Sequence, residues 1–155
     1  MVSAATRIVA GATKNVIALA AGIIDGLKAG DNAKAALVTR GLVEITRLGV
    51  AMGAKRETFA GLAGMGDLVT TCVSPSGRNR WAGEQIGRGK SATDVIASTP
   101  SVIEGIPTAR SVRELARRYD VEMPITDAVH GVLFDGKDVI ATLGELMSRR
   151  LKGEA

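Results

Sequence analysis

A chain of 155 residues that is 46% hydrophobic can bury one substantial core and is short for two domains. A single cysteine, Cys72, and a single histidine, His130, exclude an internal disulfide and a Cys/His metal set, so a metal-free, cytoplasmic protein is expected. The net charge of +4 comes from scattered basic residues, and aromatics at 3% leave few stacking platforms. Nucleic acid is therefore not expected as a partner, and an anionic small molecule accounts for the charge as well.

Met1 to Arg7 lacks the long apolar stretch of a signal peptide. Gly11 to Gly26 predicts the first helix, in which Lys14 and Asn15 precede a run to Ile24 that is apolar on every side and hence buried all round. The uncharged run from Asn15 to Ile24 falls short of the roughly 18 to 20 apolar residues of a membrane span, so none is expected. Placed in the first turn of that helix, Lys14 opposes the helix dipole unless an anion or carboxylate is near; the alternative is that it snorkels to water. Gly30-Asp-Asn-Ala breaks the chain. Lys34 to Met52 then reads as a long amphipathic helix, with Leu37, Val38, Leu42, Ile45, Leu48 and Met52 at helical spacing. Gly53-Ala-Lys-Arg ends it, and Glu57 to Ala63 predicts a short helix.

That helix delivers the chain to its most informative stretch, Gly64 to Arg80. Here Asp67 stands between glycines and an apolar run, Thr70 and Thr71 follow, and a Ser74-Pro75-Ser76-Gly77 turn leads into Arg78-Asn79-Arg80. A turn that opens a helix leaves backbone N–H groups free, and with a guanidinium nearby these favour a phosphate or carboxylate. Asp67 would repel that anion, so its natural partner is a cation or a hydroxyl. The same residues also read as an ordinary surface turn followed by a solvated basic face.

Trp81 to Ile86 continues helical until the turn Gly87-Arg-Gly-Lys. Ser91 with Asp94 resembles a capping box opening a helix through Ile96 and Ala97, and Ser101 with Glu104 repeats the spacing. Pro107 suits the first turn of a helix reaching Arg118. Pro124 opens the next, through Val129 and Leu133 to Phe134, and Asp138 caps the last, through Ile140, Leu143, Leu146 and Met147. No alternating strand is present in the pattern, so the expectation is an all-α, single multi-helix domain of seven or eight helices.

Three apparent motifs fail. Gly61-Leu-Ala-Gly-Met-Gly has neither the preceding strand nor the glycine spacing of a dinucleotide loop. Gly89-Lys90-Ser91 would need a P-loop glycine where Glu84 stands. Cys72 sits in an apolar setting without a candidate base except distant His130, so it reads as a buried structural thiol, and His130 beside Val129 and Val132 as a helix-face residue.

Gly11-Ala-Thr-Lys-Asn-Val-Ile-Ala, Gly30-Asp-Asn-Ala-Lys-Ala-Ala, Gly61-Leu-Ala-Gly-Met-Gly-Asp-Leu and Arg78-Asn79-Arg80 resemble, in order and spacing, the C-terminal domain of NAD(P)-dependent glycerol-3-phosphate dehydrogenase. The resemblance runs over residues 11–155, while residues 1–10 match poorly. It implies a helical substrate domain like the C-terminal domain of 6-phosphogluconate dehydrogenase-type enzymes, partnered by an N-terminal Rossmann domain outside this chain and admitting a homodimer. It implies an oxidoreductase of glycerophospholipid metabolism that interconverts glycerol 3-phosphate and dihydroxyacetone phosphate with NAD or NADP. Lys14 matches the catalytic lysine and Asp67 the carboxylate that touches substrate and orients it. Asn15, Thr71, Gly77, Arg78 and Asn79 match substrate-binding positions, Gly77 standing where bacterial relatives usually have serine. Arg78, Val102 and Glu104 match positions bordering the cofactor, although Glu104 by itself reads as a capping carboxylate. The residues suit that chemistry, since hydride transfer to a ketone builds negative charge on oxygen that a lysine can stabilise and protonate. A second reading remains, a stand-alone helical module that binds a phosphorylated ligand or another subunit without catalysis.

Overall fold

The computed structural model describes residues 2–149. Among these the architecture is helical throughout: α1 (Ala4–Gly26), α2 (Asp31–Ala51), a 3-10 turn (Arg56–Phe59), a π turn (Leu62–Gly66), α3 (Asp67–Val73), α4 (Arg78–Gly87), α5 (Ala92–Ala97), α6 (Gly105–Arg118), α7 (Pro124–Phe134) and α8 (Val139–Ser148). The all-α expectation holds, and α1 is the axis around which α2, α3, α4, α6 and α7 pack. Every residue from Val16 to Ile24 of α1 is buried, because its apolar residues face neighbours in all directions.

The closest packing is between α1 and α4. A Cβ at Gly22 would lie 1.9 Å from the Arg80 carbonyl oxygen, one at Gly26 2.2 Å from that of Glu84, one at Gly83 2.0 Å from that of Leu19 and one at Gly87 2.4 Å from that of Ile23. Two glycines four residues apart on each helix thus let the backbones touch, a spacing that presents both glycines of each pair on one face. The α2 helix contributes Leu37, Ile45 and Leu48 to the core, and its Arg40 closes the far end of the bundle by donating to the carbonyls of Leu146 (2.7 Å) and Met147 (3.3 Å) in α8.

Four local expectations change. The first helix starts at Ala4, not Gly11: Ser3 caps it by accepting from the Thr6 N–H, and Gly11 is an exposed mid-helix residue that costs too little to break it. The short helix expected over Glu57 to Ala63 is two tighter and wider turns, with Gly64 pressed so close to the Phe59 carbonyl that a Cβ would lie 2.1 Å from it. Residues Asp67 to Val73 form a helix of their own. Ser91 does accept from the Asp94 N–H, but the second capping box fails: α6 begins at Gly105 after a helical Glu104, and Ser101 takes no part in its cap. The longer α1 is also, by length and composition, apolar enough to cross a bilayer, which the uncharged run alone was not; 56% of its most apolar window is buried within the bundle.

Candidate functional site

The early start of α1 places Lys14 in mid-helix, so the first-turn argument against its charge does not apply. What holds it is tertiary. Its ammonium donates to the Ala63 carbonyl at 2.7 Å and reaches Asp67 Oδ2 at 3.4 Å, and its side chain is only 14% exposed while that of Asp67 is 67% exposed. The π turn positions both partners: by widening the backbone it turns the Ala63 carbonyl toward α1 and delivers Asp67 as the first residue of α3. An open cleft of about 430 Å³ runs along this contact, walled by Thr6, Arg7 and Lys14 from α1 and by Phe59, Gly64 and Asp67 from the facing turns.

Beside Lys14, Asn15 leads to a second cluster. Its amide donates to Glu104 Oε2 at 3.4 Å, and the next N–H, that of Gly105, donates to Asn79 Oδ1 at 2.8 Å. Asn79 on α4 therefore supplies the cap that α6 lacks in its own sequence. The approach is tight enough that a Cβ at Gly105 would lie 2.8 Å from both Asn79 Oδ1 and the Asn15 carbonyl oxygen. Glu104, which read alone suggests a capping carboxylate, instead accepts from Asn15.

Gly77 is the N-cap residue of α4 with no side-chain cap, and its extended backbone leaves room for a side chain, the nearest atom to a Cβ being the Ser74 oxygen at 3.4 Å. Arg78 follows it, exposed and without a hydrogen bond or ion pair among the described residues. Thr71 lies one turn beyond Asp67 on α3 and shares its face, partly buried. Val102 is 66% exposed on the segment before α6. The structure thus joins Lys14 to Asp67 and Asn15 to Glu104 directly, brings Asn79 to the same corner through Gly105, and leaves Thr71, Arg78 and Val102 without a direct hydrogen bond to the others.

Arg80 behaves unlike its neighbour and is not part of a solvated face. Its Nε donates to the Ser74 carbonyl at 3.0 Å, Nη1 to Asp25 at 2.9 Å and Nη2 to Glu84 at 2.9 Å, with 11% of the side chain exposed. Burial pulls against its charge, but the hydrogen bonds and negative charges of Asp25 and Glu84 outweigh this and raise its pKa further. Asp25 also pairs with Lys34 at 2.8 Å, and Glu84 with Arg88 at 2.6 Å. The Ala63 carbonyl, the π turn and the Arg80 anchor are the parts of the site that sequence reasoning missed. Only the density of glycines from Gly61 to Gly66 hints at an irregular backbone there.

Cys72 is fully buried and burial pushes its thiol up to about 12, so it is no thiolate nucleophile. His130 is buried on α7, its Nδ1 3.3 Å from Asp135, its ring tilted against Phe134 with Arg110 over the other ring. No metal-holding group of His, Cys, Asp and Glu occurs among the described residues.

The profile of the family described as NAD-dependent glycerol-3-phosphate dehydrogenase C-terminus matches residues 5–144. A Salinibacter ruber protein named glycerol-3-phosphate dehydrogenase (NAD(P)+) 2 is 57% identical over 94% of this chain and 42% of its own length, and a Chlorobium limicola protein of the same activity name is 53% identical over 94% and 44%. A solved glycerol-3-phosphate dehydrogenase from Coxiella burnetii matches with a TM-score of 0.89 at 42% identity over 93% of this chain and 44% of that one. A Saccharomyces cerevisiae glycerol-3-phosphate dehydrogenase gives 0.81 at 30% identity, over 90% and 41%. This chain spans less than half the length of these relatives. With the profile covering nearly all of its helices, the chain belongs to the family of NAD-dependent glycerol-3-phosphate dehydrogenase C-terminal domains.

Proposed function

We propose that this domain is the substrate-binding and proton-transferring half of an enzyme that interconverts glycerol 3-phosphate and dihydroxyacetone phosphate with NAD or NADP. The observation that carries the reading is Lys14, an ammonium held between the Ala63 carbonyl and Asp67 at the wall of an open cleft. During reduction Lys14 would stabilise the oxygen anion growing at C2 and supply its proton, and during oxidation it would take the hydroxyl proton back. Asp67, mostly exposed, is free to orient both the lysine and a substrate hydroxyl. The uncapped start of α4, with its unsatisfied N–H groups and the unpaired guanidinium of Arg78, suits the phosphate. Thr71, Asn15 and the remaining donor of Asn79 line the approach.

The nicotinamide, when bound, supplies the hydride. The residues here fit a border of such a cofactor and not the whole of it: Arg78 and exposed Val102 present a cation and an apolar contact, whereas Glu104 is engaged with Asn15 and no dinucleotide loop is present among the described residues. The remainder of the cofactor site falls to an N-terminal Rossmann domain, which the greater length of the relatives leaves room for. We read α1 as the core helix of this unit and not as a membrane span, and we place the enzyme in the cytoplasm, where its one buried cysteine needs no partner. A homodimer is compatible with the exposed apolar side chains described below.

The test is turnover of dihydroxyacetone phosphate with NADH and NADPH. The chain alone is expected to give none, because it cannot position a hydride donor. Joined to the N-terminal half of the Salinibacter ruber relative it should turn over, and Lys14→Met should then cost about two to four powers of ten in kcat with the fold retained. Steady turnover by the isolated chain, or near-normal kcat for Lys14→Met, would overturn the reading.

A further inference from the structure

Between Thr71 in the last turn of α3 and Arg78 at the start of α4 the chain turns through Ser74 to Gly77, and among the described residues Arg80 is the side chain that reaches back to the backbone of that turn. The Ser74 carbonyl, at the α3 C-cap, accepts from both the Gly77 N–H at 3.2 Å and Arg80 Nε at 3.0 Å. The other two guanidinium nitrogens go to different elements, Nη1 to Asp25 on α1 and Nη2 to Glu84 on α4. Asp25 in turn holds Lys34 of α2. One planar cation therefore ties α1, the C-terminus of α3 and α4 together, and through Asp25 it is linked to α2. A guanidinium whose three nitrogens all point at fixed acceptors has little rotamer freedom left, and a lysine, with one point charge, cannot serve the same three.

We infer that Arg80 is a positioning residue: it touches no ligand, and by closing the Ser74–Gly77 turn it sets where Arg78 and the free N–H groups of α4 stand relative to Thr71, and so decides the affinity for a phosphate monoester. The inference rests on the phosphate reading of Arg78 given above. It separates two arginines two residues apart in sequence into a ligand arginine with no protein partner and a scaffold arginine with three. It also gives Asp25 and Glu84, whose ion pairs do not include Lys14, a share in substrate affinity.

The experiment is titration of the chain with glycerol 3-phosphate, followed by backbone amide NMR, together with amide hydrogen exchange in the absence of ligand. Arg78→Ala should abolish measurable binding. Arg80→Lys, which keeps the charge, should weaken binding about tenfold, the worth of one lost hydrogen bond to a charged donor, and speed exchange of the Gly77 amide by a similar factor. Arg88→Ala, which removes the exposed partner of Glu84, should change neither. Glu84→Gln serves as the milder variant should Arg80→Lys lose its fold, and a smaller loss in the same direction is expected. Wild-type affinity for Arg80→Lys, or for Glu84→Gln in its place, while Arg78→Ala weakens binding overturns the positioning role. Unchanged affinity for both Arg78→Ala and Arg80→Lys overturns the phosphate reading instead; faster Gly77 exchange in Arg80→Lys then upholds the clamp on the turn, and unchanged exchange removes that as well.

Discussion

Helices α1 and α4 meet backbone against backbone, while α3 leans on the core through side chains. Along the first seam four glycines admit contacts that no Cβ could survive. Along the second, Leu68 and Cys72 enter the core, but Leu62, Met65, Val69 and Val73 lie on the outside at helical spacing, and Leu62 is 89% exposed. Both regions serve the same site. The seam carries Asn15, Arg78 and Asn79, and the rim carries Ala63, Asp67 and Thr71. The difference teaches that the Asn79 side is built into the fold, whereas the Asp67 side is joined to α1 at the site by a single ammonium. Backbone contact allows one geometry, and a side-chain contact allows several.

The largest test of this contrast is Gly83→Ala. Its methyl would sit 2.0 Å from the Leu19 carbonyl, and since neither group can yield, α4 must shift; we expect a loss of about 3 kcal/mol or more in urea melts. A loss below about 1 kcal/mol would mean that the seam is soft and the contrast unfounded.

A second test probes an ionisable group buried in the core. Glu44 on α2 caps α7 by accepting from the N–H groups of Ile125 and Thr126. Burial lifts its pKa; the two backbone bonds pull it back, nearby Asp127 adds to the rise and Arg47 subtracts, leaving it at about 8 against an ordinary 4.5. The folded chain keeps a proton that the unfolded chain releases, so the contribution of Glu44 to stability is fully present below pH 4.5 and declines as pH climbs toward 8. Glu44→Gln should remove that decline, whose slope is at most about 1.4 kcal/mol per pH unit. A wild type whose melting is independent of pH across this window would contradict the assignment.

The smallest effect is expected at the rim. Leu62→Ser removes a side chain that packs on almost nothing, so stability should stay within about 0.5 kcal/mol of wild type. A larger loss by thermal melting would show that the stripe is covered in solution.

Much of the fold was legible because its signals are local. The apolar periodicity of α2 and the caps at Ser91 and Asp138 depend on residues within a turn or two, and each is observed. The errors came where a distant residue replaces a local one. The cap of α6 comes from Asn79 and not from Ser101, and the cap of α7 from Glu44. Lys14 looked misplaced only because Gly11 suggested a helix start, whereas its real partner is a carbonyl 49 residues away. For the candidate site, the motifs singled out Lys14, Asp67, Asn79 and Arg78, the first two of which the structure joins, yet gave no means of telling Arg78 from Arg80. Two arginines separated by one residue and with the same chemistry differ here only in what the folded chain puts beside them.

The length of α1 has a mechanical meaning. It runs unbroken from Ala4 to Gly26, is locked to α4 over its second half and packs through Val9 and Ala12 against Leu48, Val112, Ala116 and Met123 over its first, so Lys14 rides on a rod held along both halves. Lys14 and Asn15 are therefore fixed by that rod, while Ala63 and Asp67 are placed by the π turn and by α3, which enters the same core through Leu68 and Cys72. The 2.7 Å and 3.4 Å contacts of the ammonium are thus a span set by the core beneath them, and a long unbroken helix serves as the ruler that sets it.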